Sequence, residues 1–348
     1  MHYDDEDYFT PDRKEQKRER KKKQLSHSYK DKKVGTTKNK EDYSHLPQGR
    51  VLSIHGEKVI VESDEKEYSC QLRGLLKKDR SLMRNLIAVG DIVRFSKETL
   101  SIGFVEPRHS ILSREIPREK KQQIIAANID QVLITISILS PPLKSPLIDR
   151  YIIAAQNGNM QPIIVVNKID LLKEATKAEK AQLNDVIETY KTLGIPIVSV
   201  SAKTKKGLKE LKDIMKDKTS VFSGQSGTGK SSLINALCHL NLKTKQVVKK
   251  TNKGAHITSR AHLVALKSGG FCVDTPGIKS FGVWDLDVNT LQSYFSEISE
   301  YAKQCKYPDC SHDTEPDCAV KKAVEEKKIS SLRFESYRSL MKEAKEKT

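Results

Sequence analysis

The sequence lacks any apolar segment long enough to cross a membrane. No run of 18 or more apolar residues occurs in it, and its first residues contain no apolar core of a signal peptide. We therefore expect a soluble, cytoplasmic protein with no membrane partner.

Cysteines are scarce and unevenly spread. Of the six, Cys70, Cys238 and Cys272 lie within apolar segments, and the other three cluster near residue 310. This distribution is not that of a disulfide framework. We expect the first three to lie in a core and the cluster to bind a metal.

Acidic residues are too few to balance the basic ones. The chain has 62 Lys and Arg against 45 Asp and Glu, a net charge of +17, and residues 13–40 alone hold 13 basic and 3 acidic residues. That segment has almost no apolar residues, so we predict a disordered basic arm over residues 1–46. Such arms are often only solvated tails, but on a basic protein they also favour a polyanionic partner, for which we predict nucleic acid.

Residues 47–114 show the pattern of a small β-barrel. Short runs rich in Val and Ile alternate with turn residues such as Gly56 and Gly90. Five strands in so short a segment predict a barrel (OB-fold) of the oligonucleotide-binding type. The alternative is a purely structural barrel that binds no ligand, because no aromatic residues suited to base stacking line a strand. The predicted strands are Val51–Ile54, Val59–Val61, Tyr68–Leu72, Ile92–Phe95 and Gly103–Val105.

After Ala126 the pattern changes to strands separated by helices. Continuous apolar runs alternate with helical periodicity, and Gly158 and Gly194 stand where helices end. This predicts an α/β domain over residues 115–284, with a parallel sheet covered on both faces. The sequence pattern of residues 285–348 predicts a helical domain, with helices at Leu291–Ala302 and between Val320 and Lys345. The predicted strands include Val132–Leu139, Pro162–Val166, Ile195–Val200, His262–Leu266 and Phe271–Val273.

The stretch from Gly224 to Ser231 matches G-x-x-x-x-G-K-[ST], between a short apolar strand and an apolar helix. In such loops backbone N–H groups surround phosphates, Lys230 reaches the β and γ oxygens, and Ser231 can ligate Mg²⁺. A Gly- and Ser-rich turn capping a helix is the alternative. The candidate nucleotide-binding residues here are Gly224, Gln225, Ser226, Gly227, Thr228, Gly229, Lys230, Ser231 and Ser232.

Two further motifs predict a guanine-binding site. Asn167, Lys168, Ile169 and Asp170 form N-K-x-D directly after an apolar strand. The Asp170 carboxylate can accept hydrogen bonds from guanine N1–H and its amino group, which adenine does not offer, and such pairing can discriminate by about 10⁴-fold. Ser201, Ala202 and Lys203 follow another strand and resemble the companion base-binding loop.

Two more segments are expected to contact the γ-phosphate and magnesium. Asp274 and Gly277 belong to a D-x-x-G sequence after a strand, where the carboxylate can hold Mg²⁺ and the Gly277 N–H can meet the γ-phosphate. In the long Lys-rich loop before it, Thr258 is our candidate to complete the Mg²⁺ ligands. His256 is the candidate catalytic group, because Ile278 occupies the position of the usual water-orienting glutamine. An exposed loop histidine is the alternative for His256.

The order of these motifs is unusual. N-K-x-D and S-A-K precede the phosphate loop, whereas GTPases commonly have them after it, so the domain resembles the circularly permuted GTPases. This order leads from Gly277 through Phe281 and Trp284 into the C-terminal helices. We hypothesise that movement at Asp274–Gly277 is transmitted along that path, although Trp284 is also typical of a core residue.

Cys305, Cys310, His312 and Cys318 have the spacing C-x₄-C-x-H-x₅-C. Three thiolates and one imidazole suffice for a closed tetrahedral zinc site of structural type. Disulfides are the alternative. We expect that zinc removal loosens the C-terminal domain and spares nucleotide binding.

A basic arm, a barrel, a permuted GTPase domain and this zinc segment, in that order, resemble the bacterial small ribosomal subunit-dependent GTPase A family over roughly residues 47–320. That family's G-x-H-T-T-T segment is similar to Gly254–Ser259, except that Ile257 replaces the first threonine. The resemblance implies GTP hydrolysis stimulated by the 30S subunit, a role late in its maturation, and contacts with 16S rRNA.

The residues alone leave three functions open: a ribosome-activated GTPase, an RNA-binding assembly module that uses GTP only as a conformational ligand, and an independently active hydrolase with another polyanion. No arginine finger is identifiable, so we expect weak intrinsic turnover. We expect GTP and GDP as ligands, one structural zinc, Mg²⁺ with GTP, and a monomeric chain.

Overall fold

The computed structural model describes residues 43–72, 86–116, 121–238, 261–274 and 288–347. The chain divides into two units, Met1–His45 and Leu46–Thr348, and every element below lies in the second. The predicted arm lies outside the described residues except at its last few positions. Among the described helices, none has both the length and the apolar character that a membrane span requires.

The first five strands form a closed barrel. Strand β1 pairs with both β2 and β4, and β3 pairs in parallel with β5, which gives the cyclic order β1-β2-β3-β5-β4. Alternate residues point inward, including Val51, Val61 and Phe95, and they form a core of their own. The five strands predicted from sequence are confirmed, with these bounds: β1 Gln48–His55, β2 Lys58–Ser63, β3 Lys66–Leu72, β4 Ile92–Ser96 and β5 Ser101–Val105.

A two-stranded hairpin that the sequence did not predict follows the barrel. Strand β6 spans Ile111–Ile116 and pairs antiparallel with β7, Lys121–Ala127. The expected domain boundary at residue 114 lies inside this hairpin. Charged residues interrupt its apolar pattern, which explains why periodicity did not identify it.

The central sheet is parallel except at one edge. Its order is β10-β9-β8-β11-β13, followed by β12, which pairs antiparallel with β13 and thereby departs from the fully parallel sheet predicted. Through the pair Ser53 and His262, β12 also joins β1, so the sheet continues into the barrel. The strands are β8 Gln131–Ile136, β9 Gln161–Val166, β10 Ile197–Ser199, β11 Thr219–Ser223, β12 His262–Ala265 and β13 Phe271–Asp274.

Helices cover both faces of this sheet, as predicted. Helices α1 and α2 pack on one face, and α3 and α4 pack on the other. A capping box between Thr176 and Glu179 begins α2, and Gly194, with φ of 73°, follows its end. The helices are α1 Ser145–Asn157, α2 Lys177–Thr192, α3 Leu208–Met215 and α4 Lys230–Cys238.

The C-terminal helices share a core with α1 and α2. Leu291, Phe295, Tyr337 and Leu340 belong to the same buried cluster as Ile148. The single helix predicted at Leu291–Ala302 is in fact interrupted, because Phe295 has a non-helical backbone that turns its ring into this core. The elements are α5 Val288–Leu291, a 3₁₀ turn at Gln292–Tyr294, α6 Ser296–Ala302, α7 Ala319–Glu325 and α8 Ser331–Lys347.

A candidate guanine nucleotide site and a candidate metal centre

The predicted phosphate loop connects the end of β11 to the first residue of α4. Its glycines Gly224, Gly227 and Gly229 have φ angles of 135°, 91° and 92°, which other residues rarely adopt. At Gly224 a Cβ atom would lie 2.1 Å from the Thr135 carbonyl oxygen, so no side chain fits. The loop therefore has the glycine conformations of a phosphate-binding loop and leads into the N-terminus of α4, where phosphates bind in such loops.

Lys230 folds back over this loop. Its Nζ donates hydrogen bonds to the carbonyl oxygens of Gly224 at 2.8 Å and Gln225 at 2.9 Å. Burial lowers the pKa of Lys230 to about 8. Beside it Ser226 and Ser231 are exposed and Ser232 is half-buried, so the Ser231 hydroxyl is accessible to a magnesium ion.

Asn167 joins the predicted base-binding and phosphate-binding segments. It is 1 % exposed, its Nδ2 donates to the Thr228 carbonyl at 2.8 Å, and its Oδ1 accepts from the Ala202 N–H at 3.2 Å. A Cβ on Gly229 would lie 2.4 Å from Asn167 Nδ2, so that glycine permits the contact. One side chain thus brings together the three loops that follow β9, β10 and β11.

The candidate guanine acceptor is oriented by the loop after β10. The Ser201 hydroxyl donates to Asp170 Oδ1 at 2.5 Å and accepts from the Thr204 N–H at 3.1 Å. Ile169 and Asp170 begin the 3₁₀ turn Ile169–Lys173. The bond between Ser201 and Asp170 thus brings the N-K-x-D and S-A-K segments together, and Lys203 is exposed.

Lys168 occupies a left-handed backbone position with φ of 63°. Its ammonium donates to the Ser140 carbonyl in the loop between β8 and α1. Burial lowers the pKa of Lys168, and the charge of Asp170 opposes that change.

The remaining nucleotide residues are described only in part. Asp274 is the last residue of β13, whose parallel pairing with β11 places it at the same sheet edge as the phosphate loop. The Asp274 carboxylate, Gly277, His256 and Thr258 lie outside the described residues. Ile278, Phe281 and Trp284 lie outside them too.

Tyr151 contacts the phosphate loop, a role that the sequence did not predict. It lines a cavity together with Thr135, Gly224, Gln225 and Thr228. Burial raises the pKa of the Tyr151 hydroxyl, and the Ser223 side chain, the charge of Arg150 and the backbone of Gly224 oppose that rise. The apolar periodicity of the sequence predicts only that Tyr151 lies on the inner face of α1. Periodicity does not show what the tyrosine hydroxyl contacts.

The four predicted metal ligands lie together. The donor atoms of Cys305, Cys310, His312 and Cys318 are all within 4.8 Å of one another. Cys305 Sγ lies 3.8 Å from Cys318 Sγ, and His312 Nδ1 lies 3.6 Å and 3.4 Å from these two sulfurs. A tetrahedral zinc ion with bonds of about 2.3 Å to sulfur and 2.0 Å to nitrogen needs separations close to these. The residues therefore fit zinc.

Neighbouring groups hold these candidate ligands. His312 Nε2 lies 3.3 Å from Gln292 Oε1, which leaves Nδ1 facing the sulfurs. Glu315 accepts from the Ser311 hydroxyl at 2.6 Å and from the N–H groups of Ser311 and Asp313. The hydrogen bond from the Ser311 side chain is the main cause that lowers the pKa of Glu315 to about 2. Glu315 thus fixes the turn that carries His312.

Comparison with known proteins decides the family. The sequence model of the RsgA GTPase family matches residues 105–284. A small ribosomal subunit biogenesis GTPase RsgA from Chlorobaculum parvum is 40 % identical over 270 residues, which cover 74 % of this chain and 85 % of that protein. The chain belongs to the RsgA GTPase family. As a member it is a GTP hydrolase, so the prediction of a GTPase is confirmed.

Solved structures of relatives share the architecture. The crystal structure of YjeQ from Thermotoga maritima matches with a TM-score of 0.68 at 34 % identity, covering 86 % of this chain and 98 % of that one. YloQ, described as a circularly permuted GTPase, matches with a TM-score of 0.67 at 27 % identity, covering 89 % and 99 %. The permuted order predicted from the motifs is confirmed, because the loop of Asn167 follows β9 and the phosphate loop follows β11.

Proposed function

We propose that this RsgA family member binds the small (30S) ribosomal subunit and hydrolyses GTP to GDP and phosphate during late maturation of that subunit. The curated relative is named for small ribosomal subunit biogenesis. The net charge of +17 supports a nucleic acid partner, for which we propose 16S rRNA. The closed barrel of five strands supports the same partner, because five-stranded barrels of the oligonucleotide-binding type bind nucleic acids.

The contact that carries the nucleotide assignment is the pair of hydrogen bonds made by Asn167. These bonds hold the loop of Asp170 and Ser201 beside the phosphate loop, so a guanine base and its phosphates can be bound together. In this arrangement Asp170 accepts from the guanine edge, and the Ala202 backbone lies beside it. The N–H groups of residues 224–231 and the Lys230 ammonium receive the phosphates.

Hydrolysis transfers the γ-phosphoryl group of GTP to water, with GDP as the leaving group, and the protein stabilises the charge that develops on the phosphate oxygens. Magnesium, held by Ser231, Thr258 and Asp274, would neutralise part of that charge. Lys230 and the loop N–H groups stabilise the rest, and Gly277 senses the γ-phosphate. His256 would accept the proton from, or orient, the attacking water.

We also propose the domain organisation of the chain, its structural metal, its oligomeric state and its location. The chain would consist of a basic arm (residues 1–46), an oligonucleotide-binding barrel (47–114), the permuted GTPase domain (115–284) and a zinc-binding helical domain (285–348). Structural zinc on Cys305, Cys310, His312 and Cys318 would stabilise the last of these. The protein would act as a monomer in the cytoplasm.

Turnover measured with and without purified small subunits tests this function. Strong stimulation supports the proposal. High turnover in their absence would instead support an independent hydrolase. If small subunits do not stimulate turnover, the result would support an RNA-binding assembly module with slow GTP hydrolysis.

A further inference from the structure

We propose that helix α1 couples the nucleotide site to the C-terminal helices, with Tyr151 holding the phosphate loop and Asp149 holding Arg333 of α8. This inference rests on the nucleotide site proposed above. It identifies Asp149 and Tyr151 as positioning residues. This coupling differs from the one hypothesised from the sequence, which ran through Phe281 and Trp284. Every contact of the present coupling lies among the described residues.

At the nucleotide end, the backbone of Gly224 is enclosed from two sides. Tyr151 lines the small cavity beside it together with Gln225 and Thr228, and the Thr135 carbonyl lies so close that a Cβ on Gly224 would stand 2.1 Å away. The Tyr151 side chain is itself buried. A shift of α1 along the sheet would therefore move the first residue of the phosphate loop, or separate Tyr151 from it.

At the other end, Asp149 lies in a buried network of ionic groups. It is 0 % exposed, accepts a hydrogen bond from the Tyr190 hydroxyl at 2.7 Å, and forms an ion pair with Arg333. Arg333 Nε also donates to Glu297 on α6 at 2.6 Å, and its guanidinium lies 4.2 Å from the ring centre of Phe295. Removing one member of such a network leaves a buried charge with too few partners, which is costly.

Burial and ionic contacts act in opposite directions on the two central groups of this network. Burial raises the pKa of Asp149, and the charge of Arg333 opposes that rise. Burial likewise acts to lower the pKa of Arg333, but Asp149 and Glu297 outweigh it and the pKa is raised. The guanidinium is therefore charged, and undocking α8 would separate it from both Asp149 and Glu297.

Other contacts extend the same interface. Arg150 of α1 forms an ion pair with Glu343 near the end of α8, and Tyr294 donates a hydrogen bond to Asn157 at the end of α1. On α8, the Tyr337 ring lies 6.1 Å from the ring of the candidate zinc ligand His312. A continuous series of packed groups thus connects the metal cluster, α8, α1 and the phosphate loop.

Coupling of this kind is reciprocal. If docking of α8 favours the arrangement of Gly224 that binds phosphate, bound nucleotide must stabilise docking of α8 by the same factor. Helix α1 can transmit the effect because its 13 residues are packed between the sheet and α8. The C-terminal helices would therefore respond to whether the site holds a nucleotide.

The test uses the full chain and measures two quantities. The first is the affinity for GDP and for a nonhydrolysable GTP analogue. The second is hydrogen exchange of α8 with and without either nucleotide. The variants are Tyr151→Phe, Asp149→Asn and their combination, and Asp185→Asn on the exposed face of α2 is the matched control.

We expect nucleotide to slow exchange in α8 of the unaltered chain, and Tyr151→Phe to remove that protection. Each single variant should weaken nucleotide binding by about fivefold, within the range of a lost hydrogen bond. The combined variant should be hardly weaker than either alone, because both break the same connection. Asp185→Asn should leave both quantities unchanged.

Two results would overturn the inference while leaving the nucleotide site intact. One is nucleotide binding with no change in α8 exchange in the unaltered chain. The other is full nucleotide-dependent protection of α8 in Tyr151→Phe, which lacks only a hydroxyl and should fold even if Asp149→Asn does not. If the unaltered chain binds no guanine nucleotide, the proposed site fails and the coupling fails with it.

Discussion

The side-chain amide of Asn167 donates a 2.8 Å hydrogen bond to the carbonyl oxygen of Thr228. The two residues are 61 positions apart, and the base-binding loop comes first in the chain. The permuted order of the motifs still places the base-binding loop against the phosphate loop. Because this bond fixes the phosphate loop relative to the base-binding loop, residues in either loop should affect the affinity for the whole nucleotide.

Asp170→Asn should lower GTP affinity by about 100-fold, because a carboxylate that accepts two hydrogen bonds becomes an amide that accepts only one. Xanthosine triphosphate, which has an oxygen in place of the guanine amino group, should then bind the variant better than GTP. Titration with fluorescent nucleotides measures both affinities. Asp213→Asn, an exposed position on α3, is the matched control. A variant that kept its preference for GTP would exclude Asp170 as the guanine acceptor.

Nucleotide affinity should fall as pH rises through about 8. The pKa of Lys230 is lowered to about 8 by burial, so in the free protein its positive charge is present below that pH and lost above it. Bound phosphates favour the charged form, so binding above pH 8 requires proton uptake and weakens by up to about tenfold per pH unit.

Affinities for GDP measured from pH 7 to 9 test this dependence. Lys230→Arg should bind more weakly but lose the decline, because a guanidinium stays charged throughout this range. Ionisation of the guanine ring affects both proteins alike. Equal slopes for the two proteins would show that Lys230 does not cause the decline.

The purified chain should contain one zinc ion. Cys310→Ser should lose it and show faster hydrogen exchange across residues 305–325, because zinc binding contributes to local folding. Metal analysis and exchange measurements test this, and Cys70→Ser, which alters a buried barrel cysteine, should keep its zinc. Unaltered protein that holds no metal would contradict the proposed centre.

His256→Ala should abolish turnover and leave GTP affinity unchanged, because the imidazole would act on the attacking water and not on the bound nucleotide. Single-turnover hydrolysis in the presence of small subunits is the measurement, with His55→Ala on the exposed barrel surface as control. If His256→Ala hydrolyses GTP at the unaltered rate, another group must position the water.

Much of the fold and of the site followed from sequence because its signals are local. The phosphate loop needs glycines with positive φ at fixed spacing, and the cysteine cluster lies within 14 residues. The barrel strands alternate regularly enough for their positions to be predicted. In each case the residues that cooperate are near one another in the chain.

Contacts between distant segments that carry no sequence motif could not be predicted. Asp149 and Arg333 are separated by 184 residues, and each alone has the character of a surface charge. The continuity of the central sheet with the barrel depends on a single pair, Ser53 with His262. Neither contact leaves a periodic signal, because only the tertiary fold brings these residues together.

Co-sedimentation with 30S subunits tests the central proposal most directly. The chain would be mixed with small subunits in GDP or in a nonhydrolysable GTP analogue, across a range of salt concentrations. We predict stronger binding with the GTP analogue and a steep decline with salt, because a basic protein releases counterions from RNA. Equal binding in both nucleotides and at all salt concentrations would contradict a nucleotide-controlled, electrostatic association with the subunit.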